Sequence, residues 1–97
     1  MYALIGRVEI HSGYEEETAK RVQDSGIGMV QAMAGSISAY WARGGSDNTQ
    51  HSFWLFDTEE HAQVAHAAFS RLREMPDAPA TLLDVEVCEV IGELRPA

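Results

Sequence analysis

The sequence has a single cysteine, few basic residues and no long hydrophobic run. Cys88 has no second cysteine to pair with, so no internal disulfide can form and the chain suits a reducing compartment. The opening MYALIGRVEI lacks the basic start and long apolar run of a signal peptide, and no stretch reaches the length of a membrane span. We therefore expect a cytoplasmic protein with no membrane partner.

Acidic residues dominate the charge of the chain. Seven lysines and arginines stand against fifteen aspartates and glutamates, which gives a net charge of −8. The basic residues are scattered and form no stripe that could neutralise phosphates, so we expect no nucleic-acid partner. An anionic membrane surface would repel the chain for the same reason.

The length of 97 residues leaves room for one hydrophobic core. We therefore expect residues 1–97 to form one domain of two packed layers. The hydrophobic share of 45% is normal for a globular chain. Because a domain of this size is only modestly stable alone, self-association would stabilise it.

Four segments have the composition and alternation of β-strands. They are residues 2–10 (YALIGRVEI), 35–42 (GSISAYWA), 51–57 (HSFWLFD) and a long stretch that starts at residue 81 (TLLDVEVCEVIGEL). The polar stretch RGGSDNTQ between the second and third strands is rich in turn formers and predicts a hairpin.

The first helix is predicted between the first two strands. Ser12 and Glu15 have the spacing of a capping box, and apolar residues recur at helical spacing from there to Met33. Gly26 and Gly28 lie inside this pattern and are expected to kink or split the helix.

The second helix is predicted over residues 58–74, with Asp57 as its N-cap and Glu60 three residues later. Pro76 and Pro79 end it. The order of elements is then βαββαβ. This order is typical of the α+β ferredoxin-like fold, a four-stranded antiparallel sheet with both helices on one face.

Alternation along the strands assigns side chains to two faces of this sheet. The face under the helices is expected to hold Leu4, Val8, Ile10, Ile37, Ala39, Leu55, Leu83, Val85 and Val87. The opposite face is expected to hold Ile5, Arg7, Glu9, Tyr40, Trp54, Phe56, Glu86 and Cys88. Its apolar members form a large patch for a small domain, so we expect a homodimer whose interface contains Ile5, Tyr40, Trp54 and Phe56.

Three stretches resemble a known family: the opening YALIGRVEIHSGYEEE, the central HSFWLFDTEEHAQVAHAAF and the closing LLDVEVCEVIGEL. On these residues the chain is similar to the dimeric α/β-barrel superfamily, in particular its antibiotic-biosynthesis-monooxygenase-like domains. The resemblance implies that two sheets form a barrel across a dimer and that a small hydrophobic ligand lies between sheet and helices. Members include cofactor-independent oxygenases, haem-degrading enzymes, isomerases and proteins of unknown function.

The haem-degrading branch of that family uses an asparagine on the first strand, a tryptophan in the second helix and a later axial histidine. At the corresponding positions this chain has Gly6 or Arg7, then Ala65, then Met75. We therefore expect neither that mechanism nor a bound cofactor. If haem were bound in another way, His66 would be the alternative axial ligand to its iron.

Three of the four histidines lie close together in the sequence, in the stretch HSFWLFDTEEHAQVAH. His61 and His66 are five positions apart, whereas a zinc-binding pair on a helix needs a spacing of four. His51 lies on the preceding strand and points elsewhere. We expect no metal site.

A cofactor-free oxygenase of phenolic or polyketide-like substrates needs a dry pocket, aromatic side chains and a polar group that holds the substrate as an anion. His11, Arg43 and Tyr14 are the candidates for a catalytic role, and Trp41 for ligand binding. The sequence shows no convergent acid–base set. The alternative is therefore a non-catalytic ligand-binding or structural dimer of the same fold.

Overall fold

The sheet consists of four strands: β1 (Tyr2–Ile10), β2 (Ser36–Arg43), β3 (Thr49–Phe56) and β4 (Ala80–Glu89). The computed structural model describes residues 1–44, 48–75 and 77–96. All pairings are antiparallel, in the order β2-β3-β1-β4. The two central strands, β1 and β3, are the most deeply buried because each has a neighbour on both sides.

Two helical segments cover one face of this sheet. The first consists of α1 (Glu15–Arg21), a π-helical turn (Val22–Gly26) and α2 (Ile27–Gln31); the second consists of α3 (Glu59–Ser70) and a 3₁₀ turn (Arg71–Glu74). Val30 of α2 and Ala62 and Ala65 of α3 pack with the buried sheet residue Leu4 in the main core cluster. The predicted α+β ferredoxin-like βαββαβ fold is confirmed.

The ends of several elements differ from the prediction. Thr58, not Asp57, is the N-cap of α3, since its hydroxyl accepts a hydrogen bond from the His61 N–H at 3.2 Å. Ser12 does not cap α1; the Glu15 carboxylate instead accepts from the Gly13 N–H. β4 ends at Glu89 and does not continue through residue 94. Residues 45–47 of the predicted turn and residue 76, a predicted helix terminator, lie outside the described residues.

The first helix is interrupted, as its glycines predict, but the irregularity is a π-helical turn that ends at Gly26. A π-helical turn holds one residue more than an α-helical turn, so it changes the direction in which the following side chains point. None of the helices in the described part of the chain is long and apolar enough to cross a membrane.

Trp54 and Phe56 lie under the helices and not on the open face. They are 3% and 0% exposed and belong to the main core cluster. Leu4 pairs directly with Trp54, so both side chains point to the helix side. The prediction that Trp54 and Phe56 form a dimer interface is therefore wrong, and so is the placement of Leu55 under the helices. The segment FWLF is apolar in both phases, so alternation alone could not choose between them.

Two irregularities in the strand pairing overturn the predicted placement of two further residues. Arg7 pairs with Asp84 but Val8 pairs with Leu82, so Leu83 is left over in a β-bulge and is 43% exposed. A similar register shift on β2 leaves Ile37 without a paired residue on β3, and Ile37 is 52% exposed. Both were expected under the helices. A bulge changes the phase of a strand without leaving a clear signal in a single sequence.

The open face consists of cross-strand rows of side chains. One row contains Tyr40, Phe53, Ile5 and Glu86; the next contains Ser38, Leu55, Ala3 and Cys88; a third contains Ala42, His51, Arg7 and Asp84. Tyr40 and Ile5 thus lie on the face on which they were expected. In the third row, the hydrogen bonds from Arg7 hold the pKa of the Asp84 carboxyl below its usual value.

Gly35→Ala is expected to destabilise the protein by at least about 2 kcal/mol. Gly35 has a φ of +77°, and a methyl group there would overlap the Asp57 carboxylate and the His61 ring. Gly28→Ala is the control: Gly28 is helical with nothing within 4 Å of an added carbon, so this change should stabilise by up to about 1 kcal/mol. Urea unfolding measures both, and a Gly35→Ala variant as stable as wild type would contradict this account of the turn.

Candidate functional site

An apolar cleft of about 460 Å³ lies between the helix side of the sheet and the two helical segments. The sheet contributes Val8, Ile10, Trp41, Gln50, Ser52 and Trp54. The helical segments contribute Thr18, Val22, Met29, Phe69 and Leu72 among others, and Met75 follows the second segment. The volume is within the range of small-molecule sites, which is about 300–1,000 Å³.

The π-helical turn forms one wall of this cleft. Val22, Ser25 and Gly26, all within the turn, line it. A hydrogen bond from the Ser25 hydroxyl to the carbonyl of Arg21, the residue that precedes the turn, spans it at 3.0 Å. π-helical turns inside α-helices are often found at functional sites, so its position here supports a ligand-binding role for the cleft.

Three aromatic rings pack together at the cleft. The rings of Trp41 and Trp54 are 6.0 Å apart and tilted by 59°, and those of Trp54 and Phe69 are 5.3 Å apart and nearly perpendicular. Gly6 on β1 makes this possible, because a side-chain carbon there would overlap the Phe69 ring. Trp54 Nε1 is buried and has no hydrogen-bond partner among the described residues.

A second groove, of about 600 Å³, runs between α2 and the edge strand β2. Its lining includes the exposed side chains of Ile27, Ile37 and Tyr40. Trp41 borders both spaces. The cleft between the layers is the candidate site, because it contains the aromatic cluster.

Arg43 does not line the cleft but contacts residues that do. Its guanidinium donates hydrogen bonds to the Glu15 carbonyl at 3.0 Å and to the Thr18 hydroxyl at 2.9 Å. It also contacts the side-chain oxygen of Gln50 at 3.4 Å. Because Thr18 and Gln50 both line the cleft, Arg43 ties β2 to α1 and orients two of the polar groups that a ligand would meet.

The other two catalytic candidates also lie outside the cleft lining. His11 Nε2 lies 2.7 Å from the Thr81 hydroxyl, at the end of β1. Tyr14 is 46% exposed and precedes α1, where its carbonyl accepts hydrogen bonds from Thr18. Of the four candidates chosen from the sequence, the structure places only Trp41 in the lining of the cleft.

The histidines of the central stretch do not converge. His51 lies on the open face of the sheet, paired with Arg7. His61 Nδ1 lies 2.6 Å from the Asp57 carboxylate, and this hydrogen bond lowers the pKa of Asp57. His66 Nδ1 is 3.5 Å from the Ser70 hydroxyl. Within the described residues, no three histidine, cysteine or carboxylate side chains come together as a metal site.

The positions compared with the haem-degrading branch can now be located. Gly6 and Ala65 are buried in the packing between sheet and helices, and Met75 lines the cleft. His66 is not among the lining residues of the cleft, and neither is any other described histidine. The lining does contain Met29 and Met75, whose thioether sulfur atoms belong to a class that can ligate haem iron.

Several lining residues were not among the site candidates chosen from the sequence, namely Thr18, Arg21, Ser25, Gln50, Ser52, Phe69 and Arg71. Helical spacing assigns Phe69 and Leu72 to the apolar face of the second helix, and in the structure both line the cleft. The arginines and the small polar residues carry no signal in a single sequence, because only the packing of the layers brings them together.

No family model matches the sequence, and no curated protein is similar to it. Solved structures do share its fold. A variant of MhuD with two manganese protoporphyrin IX molecules per active site has a TM-score of 0.76 and 18% identity, covering 99% of this chain and 100% of that one. A monooxygenase from the ActVA-Orf6 gene of Streptomyces coelicolor, in complex with nanaomycin D, has a TM-score of 0.68 and 11% identity, covering 99% and 92%.

A dimeric ferredoxin-like protein from an uncultured marine organism has a TM-score of 0.68 and 14% identity, and covers 99% of this chain and 100% of that one. At such low identities these likenesses show the fold alone. The shared fold is the α+β ferredoxin-like one that the order of elements predicted, and the resemblance to the dimeric α/β-barrel superfamily implied the same fold.

Glu15→Gln is expected to flatten the acid side of the stability profile. The backbone N–H groups of Glu15 itself and of Gly13 lower the pKa of this carboxyl. A lowered pKa adds stability above the carboxyl's ordinary pKa, and that stability is lost as the pH falls through the lowered value. The difference between wild type and variant in urea unfolding should therefore be greatest near neutral pH and vanish in strong acid.

Glu16→Gln is the matched control for this experiment, since Glu16 is an exposed neighbour on the same helix. Its unfolding should keep the pH dependence of wild type. Equal acid profiles for Glu15→Gln and wild type would show that the hydrogen bonds to Glu15 do not stabilise the start of α1.

Proposed function

We propose that the protein binds a small, flat aromatic molecule in the cleft and acts on it as a cofactor-independent monooxygenase. The observation that carries this proposal is the cleft itself, with the rings of Trp41, Trp54 and Phe69 at an apolar site between sheet and helices. Flat aromatic ligands stack on such rings. A monooxygenase of the same fold carries nanaomycin D, which supports this class of ligand.

The reaction that fits this site needs O₂ as its only co-reactant. A CH₂ group of an anthrone-type substrate becomes a carbonyl: one oxygen atom stays on carbon, and the other leaves as water with the two hydrogens. The apolar walls would exclude water from the substrate anion, and the Gln50 amide and the Ser52 hydroxyl would donate hydrogen bonds to its oxygen. Arg43 is then a positioning residue, because it contacts the side-chain oxygen of Gln50 and so leaves the Gln50 NH₂ group to face the substrate.

The second candidate is a non-catalytic ligand-binding protein. Its support is that the described lining of the cleft contains no carboxylate or imidazole to serve as a general base. Oxygenation would therefore require a substrate that ionises readily by itself, as phenols and anthrones do. Tight binding without oxygen consumption would favour this candidate.

A porphyrin fits the cleft poorly. Haem iron is held by an imidazole, a thiolate or a phenolate, or by a thioether together with an imidazole, and the described lining offers only the thioethers of Met29 and Met75. We therefore propose no cofactor for the reaction, although a protein of the same fold binds manganese protoporphyrin IX.

Trp41→Ala is expected to weaken binding of an anthrone by at least about tenfold, because it removes one wall of stacking surface. Calorimetric titration measures the affinity, and an oxygen electrode measures consumption of O₂. Wild type should consume one O₂ for each anthrone converted. Trp41→Phe, which keeps a ring, should retain part of the affinity.

Val64→Ala is the control, since Val64 is 69% exposed on α3 and outside the cleft. It should bind and react as wild type does. If wild type binds the anthrone but consumes no oxygen, the second candidate replaces the first. If Trp41→Ala binds as tightly as wild type, the ligand does not lie in the cleft.

We further propose that the protein is a homodimer in which two open faces pack together. Tyr40, Phe53 and Ile5 form a continuous apolar row across three strands, and Tyr40 and Phe53 are 69% and 38% exposed. A flat apolar row of this kind on a small domain is typical of an interface. A dimeric ferredoxin-like protein of the same fold supports a second copy as the partner.

Phe53→Glu is expected to convert the dimer to a monomer, because it places an unpaired charge at the centre of the row, which costs several kcal/mol. Light scattering at micromolar concentration should report about twice 10.7 kDa for wild type and 10.7 kDa for the variant. Val64→Glu, on the exposed side of α3, should remain dimeric. A monomeric wild type would defeat the proposal, and a dimeric Phe53→Glu variant would exclude this face.

A further inference from the structure

We infer that the ligand of the cleft is an anion: an aromatic ring system that carries a carboxylate-like group, bound by Arg21 and Arg71. This inference rests on the proposed function, because it assumes that the cleft binds an aromatic molecule. The observation behind it is the distribution of charge. The chain has fifteen acidic residues, yet none of them is in the described lining of the cleft, which contains two of the seven basic residues.

Arg71 is placed to receive such a group. It is the first residue of the 3₁₀ turn that follows α3, and its neighbours Phe69 and Leu72 also line the cleft. It is exposed, and it forms no ion pair or side-chain hydrogen bond with the residues that the structure describes. Its guanidinium is thus available at the solvent edge of an apolar site.

Arg21 lies on the neighbouring wall, at the end of α1. Its guanidinium pairs with the Glu17 carboxylate at 3.2 Å, and both side chains are about half exposed to solvent. An exposed pair of this type contributes little to stability, so a ligand carboxylate can replace Glu17 at small cost.

The physical argument is that the cleft reverses the sign of the surrounding charge. A net charge of −8 repels anions from most of the surface, so an anionic ligand needs local positive charge to bind. Arginine binds carboxylates through two parallel N–H groups, which also orients the ligand. The rings of Trp41 and Phe69 would then hold the apolar body while the arginines hold the charged end at the opening.

The test compares two probes that share one ring system and are close in shape but differ in charge: naphthalene carboxylate and its neutral primary amide. Calorimetric titration of the wild-type protein should show tighter binding of the carboxylate, and added salt should weaken the carboxylate more than the amide. Arg71→Gln should weaken carboxylate binding about fivefold and leave amide binding unchanged. Arg21→Gln should act in the same direction.

Arg73→Gln is the matched control, because Arg73 lies in the same 3₁₀ turn but outside the lining of the cleft. It should leave the binding of both probes unchanged. Equal binding of the two probes, with no effect of Arg71→Gln, would overturn the anionic ligand while leaving the aromatic site in place. Binding of neither probe would overturn the cleft as a ligand site, and this inference with it.

Discussion

The pairing of Leu4 with Trp54 across the two central strands is the contact on which the rest of the structure depends. Side chains alternate along a strand, so this one pair decides the facing of every residue on β1 and β3. It brings Trp54 under the helices, where the ring packs with Trp41 and Phe69. The same choice places Phe53 and Ile5 on the open face. The pairing of Leu4 with Trp54 therefore determines which residues of β1 and β3 belong to the core, to the cleft and to the open face.

The cleft exists because the helical layer does not cover the sheet completely. Small side chains, Ala62 and Ala65, bring α3 close to the sheet at one end. Towards the other end, the π-helical turn changes the course of the first helix, and larger residues such as Phe69 and Leu72 line the space that remains. Gly6 has no side chain, which allows the Phe69 ring to approach the sheet and join the aromatic cluster. A ligand would complete the packing between the two layers.

Charge is distributed unevenly around this cleft. The acidic residues lie outside its described lining, while Arg21 and Arg71 lie in it and Arg43 supports it from behind. Electrostatic attraction is strongest where the surroundings are apolar, so even a few arginines at the edge of an aromatic site influence which molecules bind. The aromatic rings and the arginines thus select for different parts of the same ligand.

Much of the fold was predictable from local patterns. The four strands, the two helical segments and their order follow from alternation and helical spacing, and the glycines indicated that the first helix is irregular. The candidate site was less predictable. Trp41 was chosen from the sequence and lines the cleft, whereas His11, Tyr14 and Arg43 were chosen for their chemistry and lie outside its lining. The type of a side chain shows which reactions it can support, but it does not show where the fold places that side chain.

The sequence by itself determined the elements, their order and the acidic character of the chain, because these depend on neighbouring residues and on composition. Only the tertiary structure decided which face Trp54 and Phe56 occupy, since FWLF is equally apolar in either phase and the choice depends on the partner strand. The bulges at Leu83 and Ile37, and the meeting of Arg21 with Arg71 at one cleft, were decided in the same way. They arise from pairing and packing between residues that are distant in sequence.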